Sequence, residues 1–505
     1  MYLFNDKINM LNVMKSNRFF CNSSLFLSVS CLRRYTSTRR STIFALSSGT
    51  SRSAISVIRI SGPNSVEVIR KMTRLNKENI IPRKALLRKI VDPNNGDLLD
   101  NGLVLWFPHP HSFTGEDSVE LHVHGGIAVV SSIISALQKL PGFRIAEAGE
   151  FTKRAYLAGK LDATEVEGLA DLLRAETETQ RRQAIRQATG ELAELYNKWR
   201  TSILTCMAHL EAYVDFGEDQ DIGHEVLSSL QYAIQSLKSE VGSHLNDNRR
   251  GERLRNGVRV AIIGEPNVGK SSLINILSRR NVAIVSPYAG TTRDIVEISL
   301  DIGGYPIVLC DTAGLRHSVD PVENEGLRRA REAASTADLV IIVMDVLTGP
   351  AKLLQLSTKE MARLECERLN LSFNAEGNYL VLLNKLDLTS ASVSINQSGV
   401  SALSCKTGQG LEEFLVDLEK KLAELCANPM QEAPLITSSR QRHHVQVAFR
   451  HLEKFLDIIE QQGDLALAGE QLRRSAKQIG SITARGKIDT EEMLDVLFRS
   501  FCIGK

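Results

Sequence analysis

Apolar positions recur along this chain with two different periods, and the changes of period divide it. Leu192, Leu195, Trp199, Ile203, Met207 and Leu210 step by three or four residues, the spacing that places one stripe on the face of an α-helix. Leu227, Leu230, Ile234, Leu237, Val241 and Leu245 repeat that spacing, and so do Val445, Ala448, Leu452, Phe455 and Ile459. All three stripes read most simply as core. Strands are marked by shorter runs. Ile55–Ile60 and Leu103–Phe107 alternate between Gly/Pro turns, whereas Val258–Ile263, Tyr305–Cys310 and Tyr379–Leu383 are almost wholly apolar, as in strands buried on both faces. The pattern predicts an α+β region over 41–155, helices over 156–255, an α/β region over 257–428 and helices again over 436–505. Neither helical segment makes a convincing domain alone. Together they predict one bundle with the α/β domain inserted between them. Leu347–Asn378 is long for a connection, contains Gly349-Pro350 and a charged helical piece, and reads as a peripheral insertion.

Composition adds limits. A length of 505 residues fits about three domains. No apolar run approaches the roughly 20 residues needed to span a bilayer. The eight cysteines form no C-x-x-C pair and read as reduced thiols in a reducing compartment. Residues 1–40 differ in kind. Lys7, Lys15, Arg18, Arg33, Arg34, Arg39 and Arg40 face a single acid, Asp6, among serines and aromatics. That is the composition of a mitochondrial transit peptide; a disordered basic tail is the plainer alternative. The formal net charge of the whole chain is only +2, so the excess of bases belongs to this leader. The remainder has no global nucleic-acid signature, and any RNA contact must be local.

The candidate chemistry lies in the α/β region. Gly264-Glu265-Pro266-Asn267-Val268-Gly269-Lys270-Ser271 follows the run Val258–Ile263 and precedes a predicted helix. It matches the phosphate-loop pattern G-x-x-x-x-G-K-S/T in the strand–loop–helix context that the pattern requires. Backbone N–H groups from Asn267 to Ser272 would cradle phosphates at a helix N-terminus. Lys270 would reach the β- and γ-phosphates, and the Ser271 hydroxyl would ligate Mg²⁺. Asp311-Thr312-Ala313-Gly314 ends the next strand, with Asp311 towards Mg²⁺ and Gly314 against the γ-phosphate. Asn384-Lys385-Leu386-Asp387 ends a third. The Asp387 carboxylate can accept from N1–H and N2–H₂ of guanine, whereas adenine offers an acceptor at N1; a turn residue or N-cap is the plainer role. Ser404-Cys405-Lys406 would pack against the base. Between the first two motifs, Thr291 and Thr292 stand in a candidate switch loop, with Thr292 the second Mg²⁺ ligand. Leu315 follows Gly314, where a Ras-like enzyme carries a water-orienting Gln. Glu323 and Glu325 are the acids near enough to replace it. Asn267 either holds a monovalent cation by its side-chain carbonyl or makes an ordinary loop hydrogen bond.

With these motifs in hand, the chain resembles the tRNA-modification GTPase family known as MnmE or TrmE, in its mitochondrial form. The resemblance covers nearly everything after the leader. It rests on the terminus Phe501-Cys502-Ile503-Gly504-Lys505, on the phosphate loop with its asparagine, and on Ala289-Gly290-Thr291-Thr292-Arg293-Asp294. Phe113-Thr114-Gly115-Glu116-Asp117, His124-Gly125-Gly126, Gly149-Glu150-Phe151-Thr152 and Lys160-Leu161-Asp162 also match. It implies a Ras-like P-loop GTPase domain inserted in a helical domain, preceded by an N-terminal folate-binding-like α+β domain through which members form homodimers. It further implies modification of C5 of the tRNA wobble uridine, together with a flavin-dependent MnmG-like partner. The added group would be carboxymethylaminomethyl or taurinomethyl, with 5-formyl- or methylene-tetrahydrofolate as one-carbon donor, in the mitochondrial matrix. By resemblance Asn267, Ser286, Tyr288 and Thr291 correspond to K⁺ ligands, Ser271 and Thr292 to Mg²⁺ ligands, and Glu323 to the group that activates water beside Lys270. Thr312 and Ala313 fall within the second phosphate motif, and Ser404 within the base-packing motif. Arg59, Glu120, Lys160 and Lys505 correspond to the folate site. Cys502 beside it is a nucleophile or a packing residue. Two other readings remain: a mitochondrial ribosome-assembly GTPase, which has no reason to end in Cys-Ile-Gly-Lys, and a folate-binding protein with a vestigial GTPase, against which Lys270, Ser271, Thr292 and Asp387 argue.

Overall fold

The computed structural model describes residues 41–49, 52–75, 80–216, 223–280, 298–310, 333–347, 356–369, 371, 373–374, 377–389, 399–426, 433–484, 498 and 501–504. The chain forms two compact units, one of Met1–Lys160 with Glu492–Lys505 and one of Leu161–Glu491.

The first unit runs β1 (Thr42–Leu46), β2 (Ser53–Ser61), α1 (Ser65–Thr73), β3 (Leu86–Val91), β4 (Leu98–Phe107), β5 (Ser118–Gly125), α2 (Ile127–Gln138), β6 (Phe143–Ile145) and α3 (Glu150–Leu157). Its sheet has the order β3-β4-β5-β2-β1-β6. Only the β1–β6 pair is parallel. Alternation along the strands sends Ile58, Ile60, Val104, Val119, Leu121 and Val123 into one core with Val68, Ile69 and Met72 of α1 and Ile133 and Leu137 of α2. The intervening side chains, Arg59, Glu120 and His122 among them, therefore point to the opposite face. The last residues of the chain belong to this unit. Phe498 and Phe501 are buried, and the Phe498 ring stands 6.3 Å from that of Tyr156. Ile503 bridges to Ala148. Gly504 has φ +105°, and a Cβ on it would lie 2.2 Å from the Leu46 carbonyl oxygen, so glycine is required where the tail passes β1. The segment predicted as helical over 436–505 thus divides. Its helices lie in the second unit, whereas the aromatic end of the tail is buried in the first.

The second unit begins with α4 (Ala163–Arg174), α5 (Glu178–Ala188), α6 (Glu191–Phe216), α7 (Gly223–Leu245) and α8 (Arg250–Asn256). Asp162 caps α4 in a reciprocal box with Glu165, which gives the third residue of Lys160-Leu161-Asp162 a structural task. The nucleotide-type domain follows: β7 (Val258–Ile263), α9 (Lys270–Arg280), β8 (Ile298–Ile302), β9 (Tyr305–Cys310), β10 (Leu339–Asp345), α10 (Thr358–Arg368), β11 (Tyr379–Asn384), β12 (Val400–Ala402) and α11 (Leu411–Leu425). The chain then returns through α12 (Ser439–Glu460) and α13 (Leu465–Ile482). Trp199, Ile203 and Leu210 of α6, Ile234 and Val241 of α7, Val445, Leu452 and Phe455 of α12, and Leu472 and Ile479 of α13 share one core, so both helical segments build a single body around the insertion. Among the described residues no helix is long and apolar enough to cross a membrane.

The sheet order is β12-β11-β10-β7-β9-β8, parallel except for the β8–β9 hairpin. The stretch Leu347–Asn378, expected to be peripheral, is instead the crossover between parallel β10 and β11, a connection that must traverse a sheet face. Met361, Ala362 and Cys366 of α10 are buried against Ile342, Val381 and Val400. Short α8 ties this domain to the helices. Its Arg253 pairs with Asp338 at 2.8 Å, its Arg255 with Asp171 of α4 at 2.8 Å, and its Glu252 with buried Arg442 of α12 at 2.8 Å.

Candidate functional site

In a parallel sheet, ligands bind beyond the carboxyl ends of the strands where the crossovers diverge to opposite sides. Strand β7 lies between β10 and β9, and the loop Gly264–Gly269 springs from its end. A Cβ on Gly264 would stand 2.2 Å from the Val343 carbonyl, and one on Gly269 would stand 2.0 Å from Asn384 Nδ2. Both glycines are demanded by close approach. Lys270 opens α9 and folds back over the loop, its Nζ donating to the carbonyls of Gly264 at 2.8 Å and Glu265 at 2.6 Å. Burial lowers the Lys270 pKa, with Glu265 opposing. Ser271 and Ser272 are exposed at the mouth of the loop. Val268 is buried beneath it. Asn267 is exposed, with φ +63°, and its side chain makes no hydrogen bond to a described residue. Its amide is therefore not spent on holding the loop, which leaves its carbonyl available to a cation.

The ends of β11 and β12 complete the site. Asn384 is 2 % exposed. Its Nδ2 donates to the Val268 carbonyl at 2.7 Å, and its Oδ1 accepts from Cys405 N–H at 3.0 Å. It is thus a strut between the phosphate loop and the 404–407 loop, a role its place in the motif did not reveal. Lys385 is left-handed, with φ +69°, and its ammonium pairs with Asp345 at 2.7 Å. Burial pushes the Asp345 pKa up, and hydrogen bonds from Lys385 and from Leu347 N–H outweigh it, so the net shift is downward. Asp345 carries no motif of its own; its place at the end of a strand adjacent to β11 was the available signal. Asp387 is exposed on a single 3₁₀ turn, and its Oδ1 accepts from buried Ser404 Oγ at 2.6 Å. Ser404 Oγ in turn accepts from Thr407 N–H at 3.1 Å. The carboxylate is thereby oriented, and acceptor sites remain on both of its oxygens for a ligand, as a guanine reader requires. Two strand ends, a glycine cradle, an ammonium and an oriented carboxylate fit a guanine nucleotide with Mg²⁺.

Ser286, Tyr288, Thr291, Thr292, Asp311, Thr312, Ala313, Gly314, Glu323 and Lys505 lie outside the described residues.

The first unit gathers a second polar cluster. Arg59 and Glu120 are register partners on β2 and β5, joined at 3.0 Å. Glu120 also contacts His122 Nε2 at 3.3 Å. The Arg59 guanidinium lies 5.4 Å from the Phe113 ring centroid and 5.9 Å from that of Phe151, within cation–π range. Two residues beyond Phe113, Gly115 stands beside the Lys160 side chain, and Lys160 is exposed. The tail arrives at the same edge: Ser47 Oγ donates to the Gly504 carbonyl at 2.9 Å, and Leu46 is the register neighbour of Ile58. Cys502 is exposed, which argues against a packing role. A half-buried guanidinium and carboxylate and an exposed ammonium beside an aromatic ring fit a ligand with an anionic tail and a hydrogen-bonding ring.

Behind this cluster lies an ion network absent from the sequence reading. Arg154, 7 % exposed, donates to Glu116 at 2.9 Å and to Glu150 at 3.0 Å. Arg144 also binds Glu150, and Ser61 Oγ donates to Glu116 at 2.9 Å. Burial raises the Glu150 pKa, but hydrogen bonds from Arg144 and Glu147 N–H and the Arg154 charge outweigh it, so the net shift is downward. Glu116 and Glu150 therefore anchor the loop that carries Phe113 and the start of α3, which carries Phe151. The i,i+4 spacing of Glu150 and Arg154 was the available clue.

Residues 164–502 match the family model for the MnmE helical domain, and residues 42–160 the model for the GTP-binding protein TrmE N-terminus. A mitochondrial 5-taurinomethyluridine-tRNA synthase subunit, GTPB3, of Homo sapiens is 48% identical over 469 residues, covering 92% of this chain and 93% of that protein. The Danio rerio protein of the same name is 47% identical over 474 residues, with the same coverage. A protein of Rickettsia bellii named tRNA modification GTPase MnmE is 45% identical over 469 residues, covering 92% of this chain and 100% of that protein.

Proposed function

Since this chain belongs to the MnmE family of tRNA-modification GTPases, we propose that it hydrolyses GTP to drive modification of C5 of the wobble uridine in mitochondrial tRNAs. The observation that carries the GTPase reading is the Asn384 strut, which joins the Lys270 cradle at one strand end to the Asp387–Ser404 base reader at another. GTP binds with its phosphates on residues 267–272 and its base at Asp387, with Lys385 and Ser404 supporting. Mg²⁺ is held by Ser271 and Thr292, and the segment 311–314 faces the γ-phosphate. Asn267, with Ser286, Tyr288 and Thr291, holds K⁺ where a Ras-like enzyme would use an arginine. That arrangement forms when two nucleotide domains meet. Glu323 activates water in place of the glutamine that Leu315 cannot supply.

The second cluster binds 5-formyl- or methylene-tetrahydrofolate. Arg59, Lys160 and Lys505 take the anionic glutamyl tail, and Glu120 takes the pterin ring. Homodimerisation runs through the first unit, and a MnmG-like flavin enzyme is the partner in the mitochondrial matrix. The names borne by the vertebrate relatives favour a taurinomethyl over a carboxymethylaminomethyl product. GTP turnover opens and closes the nucleotide domains and so gates the modification centre. Mass spectrometry of mitochondrial tRNA nucleosides from cells lacking this protein should show wobble uridines without the C5 group. Fully modified wobble uridines would overturn this function, and a ribosome-assembly defect in their place would support the assembly-factor reading.

A further inference from the structure

The crossover between β10 and β11 carries a residue that reaches the phosphate loop. Arg368 ends α10, and its guanidinium lies 2.7 Å from the Glu265 carboxylate. Glu265 is the residue directly after Gly264, and its backbone carbonyl receives the Lys270 ammonium. The phosphate-loop pattern does not ask for an acid there. An acid there is unfavourable, because the loop must receive several phosphate charges and like charges repel across a partly desolvated site. Glu265 and Lys270 share one electrostatic field, since Glu265 raises the proton affinity that burial lowers at Lys270. Arg368 also stands 3.6 Å from Glu365, which is 4 % exposed. Burial pushes the Glu365 pKa up; Arg368 opposes the shift and Glu265 adds to it. One cation thus serves two acids, one on its own helix and one in the phosphate loop. Its base is firm, because Met361, Ala362 and Cys366 seat α10 in the core.

We infer that Arg368 is a positioning residue for nucleotide binding: it draws the Glu265 side chain towards α10 and cancels its charge before the phosphates arrive. Arg368 acts through Glu265 and not by touching the nucleotide. The inference rests on the reading of the Lys270 loop as a GTP site and assigns the crossover helix a part in it.

The test compares the full chain with Arg368→Met, Glu265→Gln and the double variant, using calorimetric titration with GTP in Mg²⁺ and steady-state hydrolysis. Arg368→Met should weaken GTP binding about five- to tenfold and raise KM by the same factor, with kcat within about twofold. The loss should shrink as salt rises, because screening weakens the repulsion. Glu265→Gln should bind at least as tightly as the parent, and adding it to Arg368→Met should restore the affinity. Glu365 loses its partner in both the single and the double variant, so damage to α10 alone would persist in the double. An Arg368→Met protein of parental affinity, or a loss that Glu265→Gln does not restore, overturns the inference. A parent chain that binds no guanine nucleotide overturns the GTP reading itself, before any variant is compared.

Discussion

In the sheet β12-β11-β10-β7-β9-β8 the polar chemistry stands past the strand ends; in the sheet β3-β4-β5-β2-β1-β6 it stands in mid-strand. Both positions follow from what covers each sheet. The strands of the parallel sheet are covered on both faces, with Ile262 partly buried and Val260, Ile263, Leu339, Val340, Ile341 and Ile342 buried, so in the adjacent β7 and β10 charged side chains are confined to positions near the strand ends, as Arg259 and Asp345 are. Charge is expelled to the loops, where Lys270, Lys385 and Asp387 meet. In the antiparallel sheet α1 and α2 cover one face, and the other accepts the register pair Arg59–Glu120. A loop site is free to change shape with its ligand, whereas a register pair is already aligned by backbone hydrogen bonds. The first suits a switch and the second suits a preformed pocket.

The largest way to break this contrast is to remove the support behind the register pair. Arg154→Met leaves half-buried Glu116 without its cation and buried Glu150 with Arg144 alone. Breaking a buried ion pair costs up to about 3–5 kcal/mol, of which the Arg144 and Ser61 contacts that remain offset a part, so the first unit should unfold earlier in hydrogen exchange. GTP hydrolysis should stay within about twofold, because Arg154, Glu116 and Glu150 lie outside the nucleotide site. A parallel loss of hydrolysis would show that the two sites are not separable. Acid should mimic the variant. The folded pKa of Glu150 lies below its unfolded value, so the stability it contributes is complete above the unfolded carboxylate range near pH 4.5. It is lost as pH falls through the lowered folded value.

Asp387→Asn attacks the opposite side. The amide still accepts from one guanine position but presents a donor to the other, and the Ser404 hydrogen bond no longer orients a carboxylate. Discrimination of GTP over ATP should fall about a hundredfold or more, while the first unit melts unchanged. Competition binding reads the outcome, and retained selectivity would mean that the base is read elsewhere.

The same contrast explains what the sequence could say. Strands β7, β9 and β11 were legible because apolar runs end directly in motifs whose chemistry is local: Lys270 follows Gly269, and Asp387 follows Lys385 at fixed spacing. The stripes of α6, α7 and α12 were legible because one turn of helix brings their members together, and Trp199, Ile234 and Leu452 are indeed buried. Arg59 and Glu120 are 61 residues apart, and only strand register makes them neighbours; the family resemblance supplied them, not periodicity. The tail likewise came only from the resemblance, which set Lys505 and Cys502 at the folate site, since Ser47 and Gly504 are 457 residues apart. Leu347–Asn378 does not show its buried role in the sequence because the Gly349-Pro350 pair and the charged residues around it hide a short buried stripe, Met361, Ala362 and Cys366, too brief to register as core. Arg154 was unreadable because an arginine beside an acid is normally a solvated surface pair, and burial alone distinguishes it; Arg368 is half exposed, and only the tertiary approach of α10 to the phosphate loop makes Glu265, far away in sequence, its neighbour.

The smallest effect concerns Asn267, the residue on which the loop-based switch most depends. It adopts a left-handed conformation that asparagine tolerates better than most residues, and that conformation exposes its side chain at the phosphate mouth. A loop strut would have bonded inward; this amide has no partner among the described residues. If its carbonyl holds a cation of the size of K⁺, exchanging K⁺ for Na⁺ should lower GTP turnover about tenfold, with GTP affinity little changed. The loss corresponds to about 1.4 kcal/mol of transition-state stabilisation. Asn267→Ala should show the same low rate in both salts, because the variant has no ligand to offer either ion. Equal rates for the parent chain in K⁺ and Na⁺ would return Asn267 to the ordinary turn residue that its sequence position also allows, and the charge in the transition state would then need another source.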